Sequence, residues 1–254
     1  MSKSRAAFSI ADERNMPYFE MMKKSFQHFH PDIPLILIDQ SSIDRFRDEH
    51  FFYRATPIVA KNLLRDYSIV LKIDADTIIT GNLDHVFEGD FDVAVVNNSN
   101  PREDKAYPIR FLDVDPMQYV CAGFVVMKSK AFVDHWLGLC RSKHFLNYQY
   151  REQDLLNLMV HYFGEEVGGP YKVKFLDQGD SFYNLASKGY TPKTKMVDGK
   201  IILPPVTDEL GTYPESEKII RAYHFAGGNN NPMKGKYRLV FPKDVADYID
   251  TLVK

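Results

Sequence analysis

Two aspartates one residue apart, Asp74 and Asp76, close an apolar run of strand-favouring residues, Tyr67-Ser68-Ile69-Val70-Leu71-Lys72-Ile73. In an extended chain residues two apart point to the same side, so the two carboxylates are expected to converge just beyond the strand's carboxyl end. Open parallel α/β sheets hold their ligands there. Like charges this close call for a cation, and a hard divalent ion such as Mn²⁺ or Mg²⁺ suits carboxylate oxygens while leaving coordination positions for the phosphates of a nucleotide. The same pair also reads as a solvated acidic turn, a common place for aspartate. His224 ends a second apolar strand, Ile219 to Phe225, and offers a third ligand, although a histidine in such a place is commonly structural. Beyond it Gly227 and Gly228 let the backbone approach a phosphate, and Lys234 supplies a compact positive charge suited to one.

Other charged residues fall where a nucleotide or a sugar needs them, each with a plainer reading beside it. Asp12 stands where the first expected strand turns into its helix, near the base or ribose in a nucleotide-binding sheet and equally a place for a helix cap. Arg54 and Lys61 flank or lie on a short expected helix and reach a diphosphate in one reading, solvent in the other. Glu152 and Asp154 open a later helix, where the helix dipole favours acids whatever their function.

The elements that must position these groups follow from pattern. Phe8 to Ala11 reads as a buried strand, and Asp12 or Asn15 starts a helix to about Phe29 whose Met16, Phe19, Met22, Phe26 and Phe29 form one apolar face. Pro34 to Asp39 is a second strand, so the opening is β-α-β, the unit of a parallel sheet. A helix over Thr56 to Leu64 precedes the Asp74 strand, and Phe91 to Val96 and Tyr119 to Met127 are further strands, the latter with Gly123 inside it where a ligand or another backbone comes close. Helices are expected from about Ala131 to Phe145, holding the core tryptophan Trp136, and from Glu152. A hairpin turns at Asp198-Gly199, and an amphipathic helix over Lys243 to Val253 closes the chain. The polar stretch from Asn97 to Met117 is expected to be a substrate loop.

Composition excludes several classes. A chain of 254 residues with net charge -2 carries no basic field for nucleic acid, and one α/β domain accommodates that length. No apolar run approaches the roughly 20 residues that span a bilayer, and the start lacks a signal peptide's apolar core, so a cytoplasmic protein is expected. Cys121 and Cys140 are too few for a disulfide framework and are expected to be buried thiols.

Four segments, in order, are similar to those of one known family. Leu71 to Ile78 looks like its "YLDADxLV", Tyr119 to Met127 like "YFNAGVxLM", Glu152 to Asn157 like "DQDxLN", and His224-Phe225-Ala226-Gly227 with Lys234-Gly235 like "HFxGxxKPW". The chain thus resembles the metal-dependent nucleotide-sugar glycosyltransferases of the GT-A fold, most of all family 8, the group of glycogenin and bacterial lipooligosaccharide galactosyltransferases. The resemblance implies an α/β fold with a Rossmann-like, mostly parallel central sheet flanked by helices and a small antiparallel C-terminal portion. It implies a single domain, 1–97 as the nucleotide-binding half and 98–254 as the acceptor-binding half. Asp74, Asp76 and His224 would bind Mn²⁺, with Mg²⁺ as the alternative; Ala11, Asp12 and Asn15 would lie near the uracil and ribose of a UDP-sugar, and Arg54, Ala75, Gly227 and Lys234 around its diphosphate. Gln153, Asp154 and Glu152 would face the donor sugar. The acceptor would be a hydroxyl on a glycan, lipid or protein, with retention of configuration.

Three departures accompany the match. Cys121 stands where the family has Asn, Glu152 replaces an Asp, and Met233-Lys234-Gly235 replaces the "KPW" ending. Alternatives are an inverting GT-A transferase with Glu152 or Asp154 as base, and a nucleotide-sugar-binding protein without turnover. A sugar nucleotidyltransferase is disfavoured because Ala11-Asp12-Glu13-Arg14-Asn15 lacks its Gly-rich basic signature.

Overall fold

The computed structural model describes residues 4–45, 54–97, 118–143, 150–183, 190–208, 211–225 and 237–254. Strand β1 (Arg5–Ile10) runs into helix α1 (Met16–Phe29), then β2 (Leu35–Ile38) and α2 (Gln40–Arg45), giving the expected β-α-β opening. Helix α3 (Ala55–Leu63) leads to β3 (Ile69–Ile73), β4 (Thr77–Ile79) and β5 (Val93–Asn97). Next come β6 (Val120–Met127), α4 (Lys130–Cys140), α5 (Glu152–Tyr162), β7 (Val173–Phe175) and β8 (Ser181–Phe182). The chain continues through β9 (Lys195–Val197), β10 (Lys200–Leu203), β11 (Val206–Asp208), β12 (Gly211–Tyr213), β13 (Lys218–Ile220), β14 (Ala222–His224) and α6 (Lys243–Val253).

The central sheet has six strands in the order β2-β1-β3-β6-β5-β7. The β1–β2, β1–β3 and β5–β7 pairs are parallel; β6 alone runs against its neighbours, so the sheet is mostly parallel with one reversed strand. Both faces are covered, which is why these strands read as near-continuous apolar runs. Phe8, Val70, Val95 and Val125 face α3, α4 and α5, where Trp136 is fully buried. Ala7, Leu71, Ala94 and Val126 on the opposite face meet Phe19, Met22 and Phe26 of α1. A third apolar cluster joins α6, through Val245 and Ile249, to Ile201, Leu203 and Tyr223. The C-terminal strands form a smaller sheet, β8-β13-β10-β9, antiparallel except for β8 with β13. Its β9–β10 hairpin turns on Asp198 and Gly199, both at positive φ (47° and 72°), as the Asp-Gly signal requires.

Two expectations change. Ile219 to Phe225 is not one strand: it breaks at Arg221, whose N–H donates to Phe182 O while its carbonyl accepts from Thr80 N, both at 2.8 Å. The chain therefore leaves the small sheet and pairs β14 with β4. Helix α4 ends at Cys140 rather than Phe145, a residue outside the described set. The loop expected from Asn97 to Met117 also lies, beyond Asn97, outside the described residues, as does the glycine-asparagine loop with Gly227 and Lys234. Among the described residues no helix is long and apolar enough to cross a membrane.

Candidate active site

The two aspartates converge, but not by strand alternation. β3 ends at Ile73, Asp74-Ala75-Asp76 makes a turn, and β4 leaves in a new direction. Asp74 N–H still donates to Gly123 O at 2.8 Å, which anchors the start of the turn to β6. The end of the turn is anchored by β14: His224 pairs with Thr77, and Phe225 N–H donates to Asp76 O at 2.8 Å. His224 Nε2 is thereby placed 3.3 Å from Asp74 Oδ2 and 3.3 Å from Asp76 Oδ1. One ligand atom from each of the three residues lies within 4.8 Å of the others. Gly123 keeps the space open, since a Cβ there would stand 2.6 Å from Asp74 Oδ2 and 2.8 Å from His224 Cε1. Two carboxylate oxygens and an imidazole nitrogen so arranged fit a divalent ion of the Mn²⁺ or Mg²⁺ kind.

The electrostatics are those of a site organised around charge. Burial opposes a charged imidazole, yet the Asp76 carboxylate, helped by Cys121, carries the His224 pKa well above its ordinary value. Cys121 Sγ lies 3.9 Å from His224 Nδ1 and accepts from Gly123 N at 3.2 Å, so the sulfur holds the far side of the ring. Asp74 is drawn in the other direction. Burial works against its charge, but Lys72 and His224 hold its pKa below the ordinary carboxylate range. Lys72 is 4% exposed and pairs directly with Asp74 Oδ1. Burial disfavours its ammonium, and Asp74 and Glu152 together more than restore it.

Beside this cluster lies a cavity of about 370 Å³ at the carboxyl end of the sheet. Ile10 of β1, Lys72 and Asp74, Ala122 and Gly123 of β6 and Thr56 of α3 form part of its wall, and Tyr150, Arg151, Glu152 and Gln153 at the start of α5 form the rest. Arg151 has φ 50°, a left-handed conformation whose strain, about 1–3 kcal/mol, is the kind kept at functional sites. The start of α5 is fixed by Trp136, whose Nε1–H donates to Glu152 O at 3.0 Å. Glu152 does not cap its own helix: its carboxylate accepts from Thr56 Oγ1 at 2.8 Å and Thr56 N at 3.3 Å. Burial pushes its pKa up to about 7 against the pull of Lys72 and those hydrogen bonds.

Among the other expected residues, Gln153 lines the cavity, its Oε1 accepting from Ala122 N at 2.9 Å. Asp154, expected to face the donor sugar, turns inward instead. It is 2% exposed, and its oxygens accept from Tyr119 Oη at 2.6 Å and Tyr150 N at 2.8 Å. Ala11 is fully buried, its N–H donating to Ile38 O at 3.1 Å. Asp12 Oδ1 accepts from Asn15 N at 3.0 Å, which shapes the turn into α1. Arg54 precedes α3 and is half-buried, and Ala75 is 6% exposed in the aspartate turn. Gly227 and Lys234 lie outside the described residues. Lys72 and Thr56 were missed as site residues; a lysine inside an otherwise apolar strand was the signal for the first.

No protein-family model matches the chain, and no curated protein matches it. Solved structures do. A glycosyltransferase involved in the glycosylation of the major capsid of PBCV-1 matches with TM-score 0.56 and 10% identity over 92% of this chain and 98% of that one. The galactosyltransferase LgtC in complex with donor and acceptor sugar analogues matches with TM-score 0.56 and 18% identity over 98% of this chain and 96% of that one. The bifunctional glycosyltransferase WbbM, in its apo structure, matches with TM-score 0.56 and 14% identity over 98% of this chain and 52% of that one. The chain therefore has the fold of the GT-A glycosyltransferases.

Proposed function

We propose that this chain is a metal-dependent glycosyltransferase that moves a sugar from a UDP-sugar to a hydroxyl on a glycan, lipid or protein, with retention of configuration. The observation that carries the reading is the convergence of Asp74, Asp76 and His224 on one point beside a sugar-sized cavity, in a glycosyltransferase fold. The three side chains would hold Mn²⁺, or Mg²⁺ in its place. Such an ion, when bound, stabilises the negative charge that develops on the departing diphosphate.

This chain's own residues do the rest. Asp12 and Asn15 line the uracil and ribose end, Ala11 buried behind them and tied to Ile38, and Asp12 holds the turn. Arg54 and Lys234 supply positive charge to the phosphates, and Gly227 allows the backbone close to them. Gln153 and Glu152 face the sugar in the cavity. Asp154 acts as a positioning residue, tying Tyr119 to the residues before α5. Ala122 and Gly123 leave room for the ring.

One observation favours a second reading, inversion with Glu152 as general base. Its pKa near 7 is matched to that task. The anomeric configuration of the product, read by proton NMR, separates the two. The function itself is tested by hydrolysis of UDP- and GDP-sugars with Mn²⁺, with EDTA and by an Asp76→Ala variant. Metal-dependent release of nucleotide, lost in the variant, is the expected result. A wild-type protein that neither hydrolyses any donor nor binds UDP with Mn²⁺ overturns it.

A further inference from the structure

We propose that Lys72 is a specificity-determining residue of the donor-sugar pocket: from the cavity wall its ammonium hydrogen-bonds a ring hydroxyl, and the sugar class this pocket takes is an uncharged hexose. The inference rests on the transferase reading above.

Lys72 sits in the middle of the central sheet, paired with Phe8 of β1 on one side and Val125 of β6 on the other. Strand alternation puts it on the face of Val70, among apolar residues under α3 and α5. Leu or Met would fill that position without desolvating a charge, and replacing a buried ion pair by apolar residues is often neutral or stabilising. Its placement is therefore not explained by packing. An ammonium has three N–H donors. Among the described residues one is committed to Asp74 Oδ1, and the side chain lines the cavity. Donors beyond that bond, in the wall of a cavity, are available to what enters it, and a sugar presents hydroxyl acceptors. The cavity adjoins the metal cluster through Asp74, while Asp76 and His224 stand outside its wall. Lys72 thus belongs to the sugar end rather than the diphosphate end. In the similar family segment "YLDADxLV" this position is a tyrosine, so the lysine is a further departure from that segment.

Charge decides the sugar class. Lys72 is already paired with Asp74, and Arg151 and Glu152 share the cavity wall with that pair. A hexuronic acid would bring a further carboxylate beside the acidic groups of Asp74 and Glu152, which is costly in a buried wall, while a neutral hexose adds none.

Calorimetric titration with Mn²⁺ tests this, using UDP, UDP-glucose, UDP-galactose and UDP-glucuronate on wild type, Lys72→Met and Lys72→Gln. Wild type is expected to bind one neutral UDP-hexose more tightly than UDP. Lys72→Met, which also removes the ion-pair partner of Asp74, should lose about tenfold or more of the hexose's affinity relative to UDP measured in the same variant. Lys72→Gln, which retains donors, should recover part of that loss. UDP-glucuronate should gain nothing over UDP. A hexose advantage that survives in Lys72→Met overturns the inference, as does tighter binding of UDP-glucuronate than of either hexose. Loss of UDP binding in both variants also overturns it, by assigning Lys72 to the diphosphate end. Wild type that binds no UDP with Mn²⁺ removes the transferase reading itself, whereas wild type that binds UDP with no added affinity for any hexose removes this inference alone.

Discussion

At the turn after β3, Asp74 and Asp76 converge with an imidazole whose pKa is held up by the carboxylate beside it. Two residues earlier on the same chain, Lys72 pairs with Asp74 in the wall of a cavity that Arg151 and Glu152 also line. The two regions share Asp74 and differ in electrostatic completeness. The proposed ion would complete the cluster of two carboxylates and one imidazole, whereas the cavity holds Lys72 and Arg151 in one wall with Asp74 and Glu152. A cluster of the first kind binds through charge. A cavity of the second kind discriminates through hydrogen bonds, because another charge in it has no partner.

Breaking the cluster should give the largest effect. Asp76→Ala removes one of the proposed ligands and the main support of the raised His224 pKa. Mn²⁺ affinity, measured by the loss of the free-ion EPR signal, should fall about 100-fold or more, and donor hydrolysis should fall with it. Unchanged Mn²⁺ binding in this variant would move the ion elsewhere. The next effect comes from closing the space between the regions. Gly123→Ala places a methyl carbon where Asp74 and His224 now stand, 2.6 and 2.8 Å from their atoms, while β6 keeps its ladder. About tenfold weaker Mn²⁺ binding with a near-native circular dichroism spectrum is expected. Equal affinity would show that Asp74 has room to yield.

The two regions were not equally legible. The cluster was visible because two aspartates ended an apolar run and a histidine ended another, although the geometric reason differs: a turn between β3 and β4 brings the carboxylates together, and the β4–β14 pair brings the histidine. Which strands pair cannot be read from periodicity alone, and the break at Arg221 that frees β14 leaves the apolar pattern of Ile219 to Phe225 intact. The cavity was read only in part. The sequence pairs Gln153 with Asp154, but adjacent helical residues point about 100° apart, so one lines the cavity and the other is buried against Tyr119. Lys72 is not legible as a site residue because alternation tells the face of a strand, not what the opposite helix brings to it.

The cavity's balance has a signature in pH. Glu152 in the folded protein holds its proton up to about pH 7, against an ordinary value of 4.5. Between those values the unfolded chain has released the proton and the folded one has not, so stability falls as pH rises from about 4.5 to 7 and levels off above. Asp177, buried and also pushed up to about 7, adds to the same slope. Glu152→Gln removes one of the two contributions. Urea unfolding at pH 5 and pH 7 should show a difference smaller than wild type's by on the order of 2 kcal/mol. An unaltered difference would mean that Lys72 keeps Glu152 ionised throughout, and the cavity would then be balanced by full charges at both pH values.

The smallest effect tests whether the cavity depends on the helix behind it. Trp136 is fully buried between α3, α4 and α5, and its indole N–H holds the carbonyl of Glu152. Trp136→Phe keeps an aromatic ring but deletes that donor, leaving the first carbonyl of α5 without it and a small void beside it. Packing and hydrogen-bond loss together should lower stability by about 1–2 kcal/mol in urea unfolding. The cluster does not touch this residue, so Mn²⁺ affinity should stay within about twofold. The hexose's added affinity should weaken, because Glu152, Gln153 and the strained Arg151 are all placed by the same start of α5. Equal loss of Mn²⁺ and hexose binding would show instead that the two regions move as one, and that the electrostatic division between them has no mechanical counterpart.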